Sequence, residues 1–266
     1  MARSALLNVM VQAALKAGKS LARDFGEVQN LQVSVKGPGD YVSQADRKAE
    51  KIIREDLLKA RPTYGFLGEE SDEIKGTDGS HRWIVDPLDG TTNFLHGIPQ
   101  FAVSIALERN GEVVAGVIFN PATDELYTAE RGFGAFLNDR RLRVAARKVL
   151  SDCVIGCGIP HLGRGNHGKF LVELRHVMGE VSGVRRMGAA ALDLAYVAAG
   201  RFDGFWENGL SAWDIAAGMI LIREAGGFTS EWDGGAHSLE SGEIVAGNEH
   251  IHKALMEAIK RPIPTK

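Results

Sequence analysis

The sequence predicts a layered α+β fold, with an antiparallel sheet in the first half of the chain and an α/β arrangement in the second. Apolar residues near the amino terminus recur at helical spacing. In the middle of the chain, two apolar runs with strand-like alternation flank Asn110-Gly111, a pair typical of a two-residue type I′ turn. The last third alternates between short apolar runs and amphipathic segments, which indicates strands separated by helices.

Two helices are expected to open the chain. Residues 1–26 place apolar side chains on one face with lysine and arginine between them, as in an amphipathic helix that packs on a core. Residues 45–57 form a second helix, with Asp46 in its first turn. The apolar face of this second helix consists of Ala45, Ala49, Ile52, Ile53 and Leu57.

Strands follow the second helix. Residues 63–71 and 82–94 contain short apolar runs that end in acidic residues or glycine, which predicts buried strands that carry carboxylates at their carboxyl ends. Further strands of the antiparallel sheet are expected at 101–109, 112–120, 125–132 and 134–138. The second half then alternates strand and helix over 154–159, 169–178, 183–187, 190–200, 202–206, 213–227 and 243–248.

The composition argues against several classes of protein. Hydrophobic residues make up 44% of the 266 residues, charged residues make up 24%, and the formal net charge of −3 does not indicate a nucleic-acid or membrane-surface partner. The apolar runs are shorter than the roughly 20 residues needed to cross a bilayer, and the amino-terminal segment has no continuous apolar stretch typical of a secretion signal. We therefore expect a cytoplasmic protein in which Cys153 and Cys157 are buried free thiols.

A basic segment at residues 140–148 has two interpretations. Its four arginines and one lysine could indicate contact with nucleic acid. Leu142 and Val144 alternate with the charged residues, however, as in a strand with one buried face. A solvated strand face is the favoured interpretation.

The clearest chemical motif is the run from Asp86 to Thr91, Asp-Pro-Leu-Asp-Gly-Thr. A strand is expected to end at Val85, so that Asp86 and Asp89 leave one tight turn, where two acids repel each other unless cations lie between them. Carboxylate and carbonyl oxygens suit Mg²⁺. Gly90 allows close approach of a ligand, and the N–H groups of a short helix beginning at Thr91 are suited to phosphate oxygens. The alternative is an ordinary surface turn, where Asp, Pro and Gly are also common.

Two other acidic segments add to this motif. Glu69 follows a predicted strand within Gly68-Glu69-Glu70-Ser71, and Asp214 opens an apolar helix after Trp213. Taken alone, Glu69 is better explained as a solvated acid, and Asp214 as an ordinary first-turn acid favoured by the helix dipole. Their value lies in combination with Asp86 and Asp89.

Together the segments GEES, WIVDPLDGTTNF and WDIAAG, in this order, resemble the inositol monophosphatase family of lithium-sensitive, metal-dependent sugar phosphatases. The resemblance extends over nearly the whole chain, and residues 188–210 are most similar to bacterial members. It implies an αβαβα sandwich, the fold of inositol monophosphatase and fructose-1,6-bisphosphatase. It also implies a single phosphatase domain over residues 1–266, with a metal-binding α+β half at 1–145 and an α/β half at 146–266 that completes the site.

The resemblance further implies a role for each acidic residue. Glu69, Asp86 and the carbonyl of Leu88 would hold a first Mg²⁺, while Asp86, Asp89 and Asp214 would hold a second. Glu69 would also help to bind a third ion, and Asp46 and Thr91 would orient the attacking water. The catalytic set is then Asp46, Thr91 and Glu69, with two or three Mg²⁺ ions as cofactors.

Substrate contacts are implied in the same way. The family pattern places a glutamate and a Gly-x-Ala loop against the polyol hydroxyls, which here correspond to Glu207 and to Gly188, Ala189 and Ala190. Asp89, Gly90, Thr91 and Asp214 complete the substrate-binding set. Many relatives carry Ser or Thr where this chain has Ala189, so one hydrogen bond to the substrate or phosphate is expected to be missing. A solvated loop acid is the alternative for Glu207. Lys36 and Asp40 match a flexible loop that closes over the metals.

The predicted function is Mg²⁺-dependent hydrolysis of inositol monophosphate to inositol and phosphate, in a lithium-sensitive homodimer. Rivals within the class are phosphatases for histidinol phosphate, fructose 1,6-bisphosphate or adenosine 3′,5′-bisphosphate, which share the metal motif. A different class remains open: an interaction protein of RNA synthesis with residual phosphatase activity. A transcription-complex or nucleic-acid partner is not supported by the composition.

Overall fold

The computed structural model describes residues 3–27, 33–37, 40–161, 165–235 and 239–262, and only the backbone within 33–43. Within these ranges the chain forms seven α-helices and fourteen strands. The helices are α1 (Ala5–Phe25), α2 (Gln44–Ala60), α3 (Thr91–Leu95), α4 (His167–Met178), α5 (Ala190–Ala198), α6 (Ala212–Glu224) and α7 (Glu249–Ile259). The strands are β1 (Val33–Gly37), β2 (Asp40–Ser43), β3 (Gly65–Gly68), β4 (His81–Asp89), β5 (Ala102–Arg109), β6 (Glu112–Asn120), β7 (Glu125–Glu130), β8 (Gly134–Leu137), β9 (Arg140–Arg141), β10 (Val154–Cys157), β11 (Gly183–Arg185), β12 (Gly204–Asn208), β13 (Phe228–Ser230) and β14 (Glu243–Gly247).

Two large sheets form the framework. The first has seven strands in the order β3-β4-β5-β6-β7-β8-β9, and it is antiparallel except for the parallel pair β3 and β4. The second has five strands in the order β11-β10-β12-β14-β13, with β10 parallel to β11 and β12 and with β14 antiparallel to its neighbours. The type I′ turn is confirmed, because Asn110 and Gly111 both have positive φ, as that turn requires.

The five layers of helices and sheets share three apolar cores. In the first, α1 and α2 pack on one face of the seven-stranded sheet around Trp83 and Phe66. In the second, α5 and α6 fill the space between the two sheets. In the third, α4 and α7 cover the outer face of the five-stranded sheet around Trp206. The order helix, sheet, helix, sheet, helix confirms the predicted αβαβα sandwich.

Several sequence-based expectations need correction. The basic segment is not a continuous strand: only Arg140 and Arg141 pair with β8, and both are exposed. Leu142 is buried nonetheless, because its N–H donates to the carbonyl of Ala135 and holds the chain against the sheet. Cys153 and Cys157 are buried free thiols, as expected.

The segment expected as a loop near the amino terminus forms an antiparallel hairpin of β1 and β2. Lys36 and Asp40 belong to this hairpin, and the side chains of both lie outside the described part of the chain. Among the residues that the structure describes, no helix is both long enough and apolar enough to cross a membrane.

Candidate active site

Six acidic side chains gather where β3 and β4 end and where α2 and α6 begin. They form two groups of three, and within each group carboxylate oxygens lie within 4.8 Å of one another. The groups are Asp46, Glu69 and Glu70, and Asp86, Asp89 and Asp214. All of the predicted carboxylate ligands are therefore in these two groups, although Asp214 lies 125 residues or more from the others in the sequence.

Asp86 and Asp89 both lie at the end of β4, but the backbone that positions them differs from the tight turn that was expected. The strand does not stop at Val85 but continues to Asp89, with a register shift against β5 between Asp86 and Asp89. Pro87 has no N–H for a ladder hydrogen bond, and a bulge accommodates it. The Leu88 N–H donates to Oδ1 of Asp86 over 2.9 Å, which fixes this carboxylate inside the bulge.

Gly90 and Thr91 connect this bulge to α3. Gly90 has φ +87, and a Cβ there would lie 2.7 Å from the carbonyl oxygen of Gln100 and 3.1 Å from Cβ of Ala189. Glycine alone adopts this positive φ readily and also leaves the space that a Cβ would occupy free for these neighbours. The Thr91 hydroxyl donates to the Leu88 carbonyl over 2.9 Å and lies 3.5 Å from Oδ2 of Asp46. The expected short helix from Thr91 is present as α3.

Asp89 also contacts the start of α5. Its Oδ2 accepts the N–H of Ala191 over 2.7 Å. Ala189 occupies the N-cap position of α5 and has no oxygen in its side chain, so it cannot cap the helix itself. Asp89 supplies that acceptor from another part of the chain. The predicted substrate loop and the predicted metal ligand are thereby joined by one hydrogen bond.

Asp214 and Glu207 reach the site from the second half of the chain. Asp214 is the third residue of α6, and its Oδ2 accepts the N–H of Ser211 over 2.7 Å. Glu207 lies near the end of β12, with its carboxylate against Gly158, where any Cβ would overlap it. Glu207 is partly buried beside the acidic cluster, and the solvated-loop interpretation of this acid is wrong.

Gly188 makes room for two polar side chains. It has φ +82, and a Cβ there would lie 2.7 Å from Nη1 of Arg186 and 3.3 Å from Nδ2 of Asn93. Asn93 in turn donates to the carbonyls of Gln100 and Met187 over 2.8 and 2.9 Å. These bonds hold the 187–190 loop against the helix that follows Gly90.

The electrostatics of the cluster favour a bound cation. Burial, followed by the charges of Glu69 and Asp89, holds the pKa of Asp86 well above its usual range. Burial and the charge of Asp214 raise the pKa of Asp89 to about 8. Burial and the charges of Asp214 and Asp89 raise the pKa of Glu207 to about 8. A hard divalent ion among these oxygen donors would offset the repulsion, so the donor set fits Mg²⁺.

Two further polar residues belong to the site and were missed in the sequence. Glu50 is 3% exposed, and its Oε2 accepts the N–H of Glu70 over 2.7 Å. Its signal is the spacing of four from Asp46, which places both acids on one face of α2. Asp193 is 1% exposed on α5, and burial and the charge of Glu207 hold its pKa well above the usual range. A buried acid within an otherwise apolar helix was the available signal.

A two-sheet sandwich with an oxygen-lined acidic site where its halves meet is suited to binding hard divalent metal ions. The model of the inositol monophosphatase family matches residues 2–263. The chain belongs to this family of metal-dependent phosphatases and is an enzyme of that class.

Three relatives illustrate the similarity. The chain is 80% identical to inositol-1-monophosphatase of Rhizobium meliloti, with both chains covered completely. It is 43% identical to Nus factor SuhB of Escherichia coli K12, with 94% of each chain covered. A crystal structure of the extragenic suppressor protein suhB from Bartonella henselae has a TM-score of 0.95 and 68% identity, covering 98% of this chain and 100% of that one.

Proposed function

We propose that this chain hydrolyses inositol monophosphate to inositol and phosphate in a Mg²⁺-dependent reaction. One observation carries the proposal: Asp86, Asp89 and Asp214 form an oxygen-lined cluster directly beside Gly90 and the hydroxyl of Thr91. The names of the relatives that are 80% and 76% identical over 266 residues, both inositol-1-monophosphatase, support the substrate.

Each acidic residue has a proposed role at the metals. Glu69, Asp86 and the Leu88 carbonyl hold one ion, and Asp86, Asp89 and Asp214 hold a second. Glu69 contributes to a third. When bound by these residues, Mg²⁺ would supply Lewis-acid chemistry for phosphate hydrolysis and would lower the pKa of water at the site. Carboxylates without a cysteine or histidine nucleophile suffice for this direct hydrolysis.

Asp46 and Thr91 are proposed to orient the attacking water. The Thr91 Oγ1 lies 3.5 Å from Oδ2 of Asp46, so the two groups are close enough to address one water molecule. Asp46 is 1% exposed and lies in the first turn of α2. A water that is held rather than mobile reacts with less loss of entropy.

The polyol is proposed to lie between the metals and Glu207. Glu207 accepts hydrogen bonds from vicinal hydroxyls, and the backbone of Gly188, Ala189 and Ala190 borders the same space beside Asp89. The Ala189 side chain is 1% exposed and packs toward Gly90, so it offers no hydrogen bond. We therefore expect broader substrate tolerance than a Ser or Thr at this position would give.

A substrate panel tests the proposal. With Mg²⁺ present, inositol 1-phosphate is expected to have a higher kcat/KM than histidinol phosphate, fructose 1,6-bisphosphate or adenosine 3′,5′-bisphosphate. Lithium in tens of millimolar (roughly the range of weak oxygen-ligand sites) is expected to inhibit, because it replaces the more weakly held ion. Much faster turnover of histidinol phosphate would contradict the substrate assignment.

The enzyme is proposed to be cytoplasmic and to form a homodimer. Residues 1–266 are proposed to form one catalytic domain. The similarity to Nus factor SuhB favours a second candidate function, a partnership with a transcription complex. Expressing an Asp89→Asn variant in cells distinguishes the catalytic function from the partnership with a transcription complex. A phenotype rescued by this variant belongs to the partner role, and a phenotype that it fails to rescue belongs to catalysis.

A further inference from the structure

The proposed reaction assigns no role to Asn93, a buried polar residue on α3. Asn93 lies close to Thr91 and is 6% exposed. Its Nδ2 donates to the carbonyl of Gln100 over 2.8 Å and to that of Met187 over 2.9 Å, and it lies 3.3 Å from the carbonyl oxygen of Gly188. All three neighbours are carbonyl oxygens, which only accept hydrogen bonds. An amide nitrogen therefore suits this position, and a carboxylate does not.

One short stretch of chain holds the 187–190 loop at both ends. Asn93 donates to a carbonyl at the start of the loop, and Oδ2 of Asp89 accepts the N–H of Ala191, just after its end, over 2.7 Å. Between these two anchors, a Cβ at Gly90 would lie 3.1 Å from a Cβ of the loop, so the backbone at Gly90 packs closely on the loop. The loop is therefore fixed at two points and contacted between them.

The same stretch of chain carries part of the proposed reaction centre. Asp89 is a proposed metal ligand, and Thr91 is proposed to orient the attacking water. The loop borders the space proposed for the polyol. Asn93 therefore connects the segment that acts on the phosphate with the loop that lies against the rest of the substrate. A shift of the loop would move the polyol contacts and leave the metal ligands in place.

The loop depends on its backbone position for any contact with the polyol. Gly188, Ala189 and Ala190 have no side-chain group that can form a hydrogen bond, so only their backbone groups can contact a hydroxyl. A backbone group cannot change rotamer to follow a displaced ligand. Because hydrogen bonds weaken steeply with poor geometry, the placement of the loop decides whether these contacts form.

We propose that Asn93 is a positioning residue for polyol recognition. Through the carbonyls of Met187 and Gly188, it sets where the loop lies relative to the acidic cluster. Its effect falls on the affinity for the polyol part of the substrate, because it acts through the loop and not on the reacting phosphate. This inference rests on the proposed phosphatase function and extends it, since it assigns substrate selectivity to a residue outside the proposed ligand and substrate-binding sets.

Two variants and two substrates test this role. Asn93→Asp keeps the size of the side chain but places a carboxylate against carbonyl oxygens, and Asn93→Ala removes the donor. Inositol 1-phosphate carries the polyol, whereas 4-nitrophenyl phosphate has no hydroxyl on its ring. Both variants are expected to lower the ratio of kcat/KM for inositol 1-phosphate to that for 4-nitrophenyl phosphate about tenfold, as for loss of one hydrogen bond. The change should come mainly from a higher KM for inositol 1-phosphate.

Asn248→Asp is the matched control. The Nδ2 of Asn248 donates to the carbonyls of Ala145 and Arg147 over 2.8 and 2.7 Å, so this substitution also removes a donor to two carbonyls. Its Oδ1 accepts N–H groups at the start of α7, which a carboxylate can still accept. α7 lies on the outer face of the second sheet. Tm should fall in both Asp variants, whereas the substrate ratio should change only in Asn93→Asp.

The possible outcomes separate this inference from the proposed function. An equal fall in kcat/KM for both phosphates would overturn the inference, because Asn93 would then serve the whole site. An unchanged ratio in the folded variants would overturn it as well. If the wild type hydrolyses neither phosphate, the proposed function fails, and calorimetric titration with inositol 1-phosphate decides the inference alone. Binding about tenfold weaker in the Asn93 variants supports it, and equal affinities or no binding by the wild type overturn it.

Discussion

At the scale of single residues, the carboxylate of Asp89 has two structural roles. Its charge belongs to the acidic cluster with Asp86 and Asp214, and its Oδ2 also caps α5 through the N–H of Ala191. Because Ala189 cannot cap that helix, the geometry of the substrate loop depends on the same carboxylate as the proposed metal site. The proposed metal binding and substrate positioning would therefore be coupled at one side chain.

Glu50 is expected to act as a positioning residue for the Glu69-Glu70 segment. Gly68 lacks the Cβ that would overlap the Glu50 carboxylate, so Oε2 of Glu50 reaches the N–H of Glu70. Glu50→Ala should raise the Mg²⁺ concentration for half-maximal activity about tenfold, a typical effect of losing a group that orients a ligand. Glu50→Gln keeps an acceptor oxygen and should restore most of that affinity.

A Mg²⁺ titration of inositol 1-phosphate hydrolysis measures this effect. Glu55→Ala is the matched control, since Glu55 lies on the same helix and its side chain is 62% exposed. Equal Mg²⁺ requirements in Glu50→Ala and Glu55→Ala would show that Glu50 has no positioning role.

The residues of the site differ in how far the sequence predicts them. Asp86, Asp89, Gly90 and Thr91 are adjacent in the chain, so local chemistry already indicates a metal and phosphate motif. Glu69 and Asp214 were predicted only through the family resemblance. The spacing of Glu50 from Asp46 and the apolar surroundings of Asp193 indicate buried acids. Their roles depend on contacts made across the fold, and these local patterns do not specify which groups the acids contact.

At the scale of elements, periodicity predicted most helices and strands of both halves, because each presents one apolar face to a core. The end of β4 departs from its prediction, since a bulge around Pro87 lets pairing continue to Asp89 where a strand end was expected. The basic segment after β8 departs as well, because Leu142 is buried without any strand pairing beyond Arg141. Turn chemistry and bulges therefore decide where the predicted elements stop.

At the scale of the whole molecule, the site is built where the two sheets and their shared helix layer meet. The first half supplies Asp86 and Asp89, while the second supplies Asp214 from α6 and Glu207 from β12. Packing of α5 and α6 between the sheets sets the distance between these groups. The complete site thus requires the whole sandwich.

The stability of the metal-free protein should depend on pH through the acidic cluster. Asp86, Asp89 and Glu207 have raised pKa values in the folded state, about 8 for the last two, so the folded protein retains protons that the unfolded chain releases above about pH 4. Their contribution to stability is present below that pH and is lost as the pH rises towards 8. Without metal, Tm should fall by several degrees (about 5 °C) between pH 5 and pH 8.5.

Added Mg²⁺ should change this profile. It binds the ionised carboxylates of the folded protein, so it should raise Tm more at pH 8.5 than at pH 5. Thermal unfolding in EDTA and in Mg²⁺, at both pH values, measures the difference. An equal rise in Tm at the two pH values would contradict ion binding by these acids.

The most direct test of the central claim is the rate of inositol 1-phosphate hydrolysis by Asp89→Asn in saturating Mg²⁺. The amide keeps an acceptor oxygen for the N–H of Ala191 but removes the negative charge from the cluster. The claim predicts a fall in kcat of about 100-fold or more, equivalent to roughly 2.7 kcal/mol of lost transition-state stabilisation. Full activity in the folded variant would contradict the assignment of this cluster as the metal site of a phosphatase.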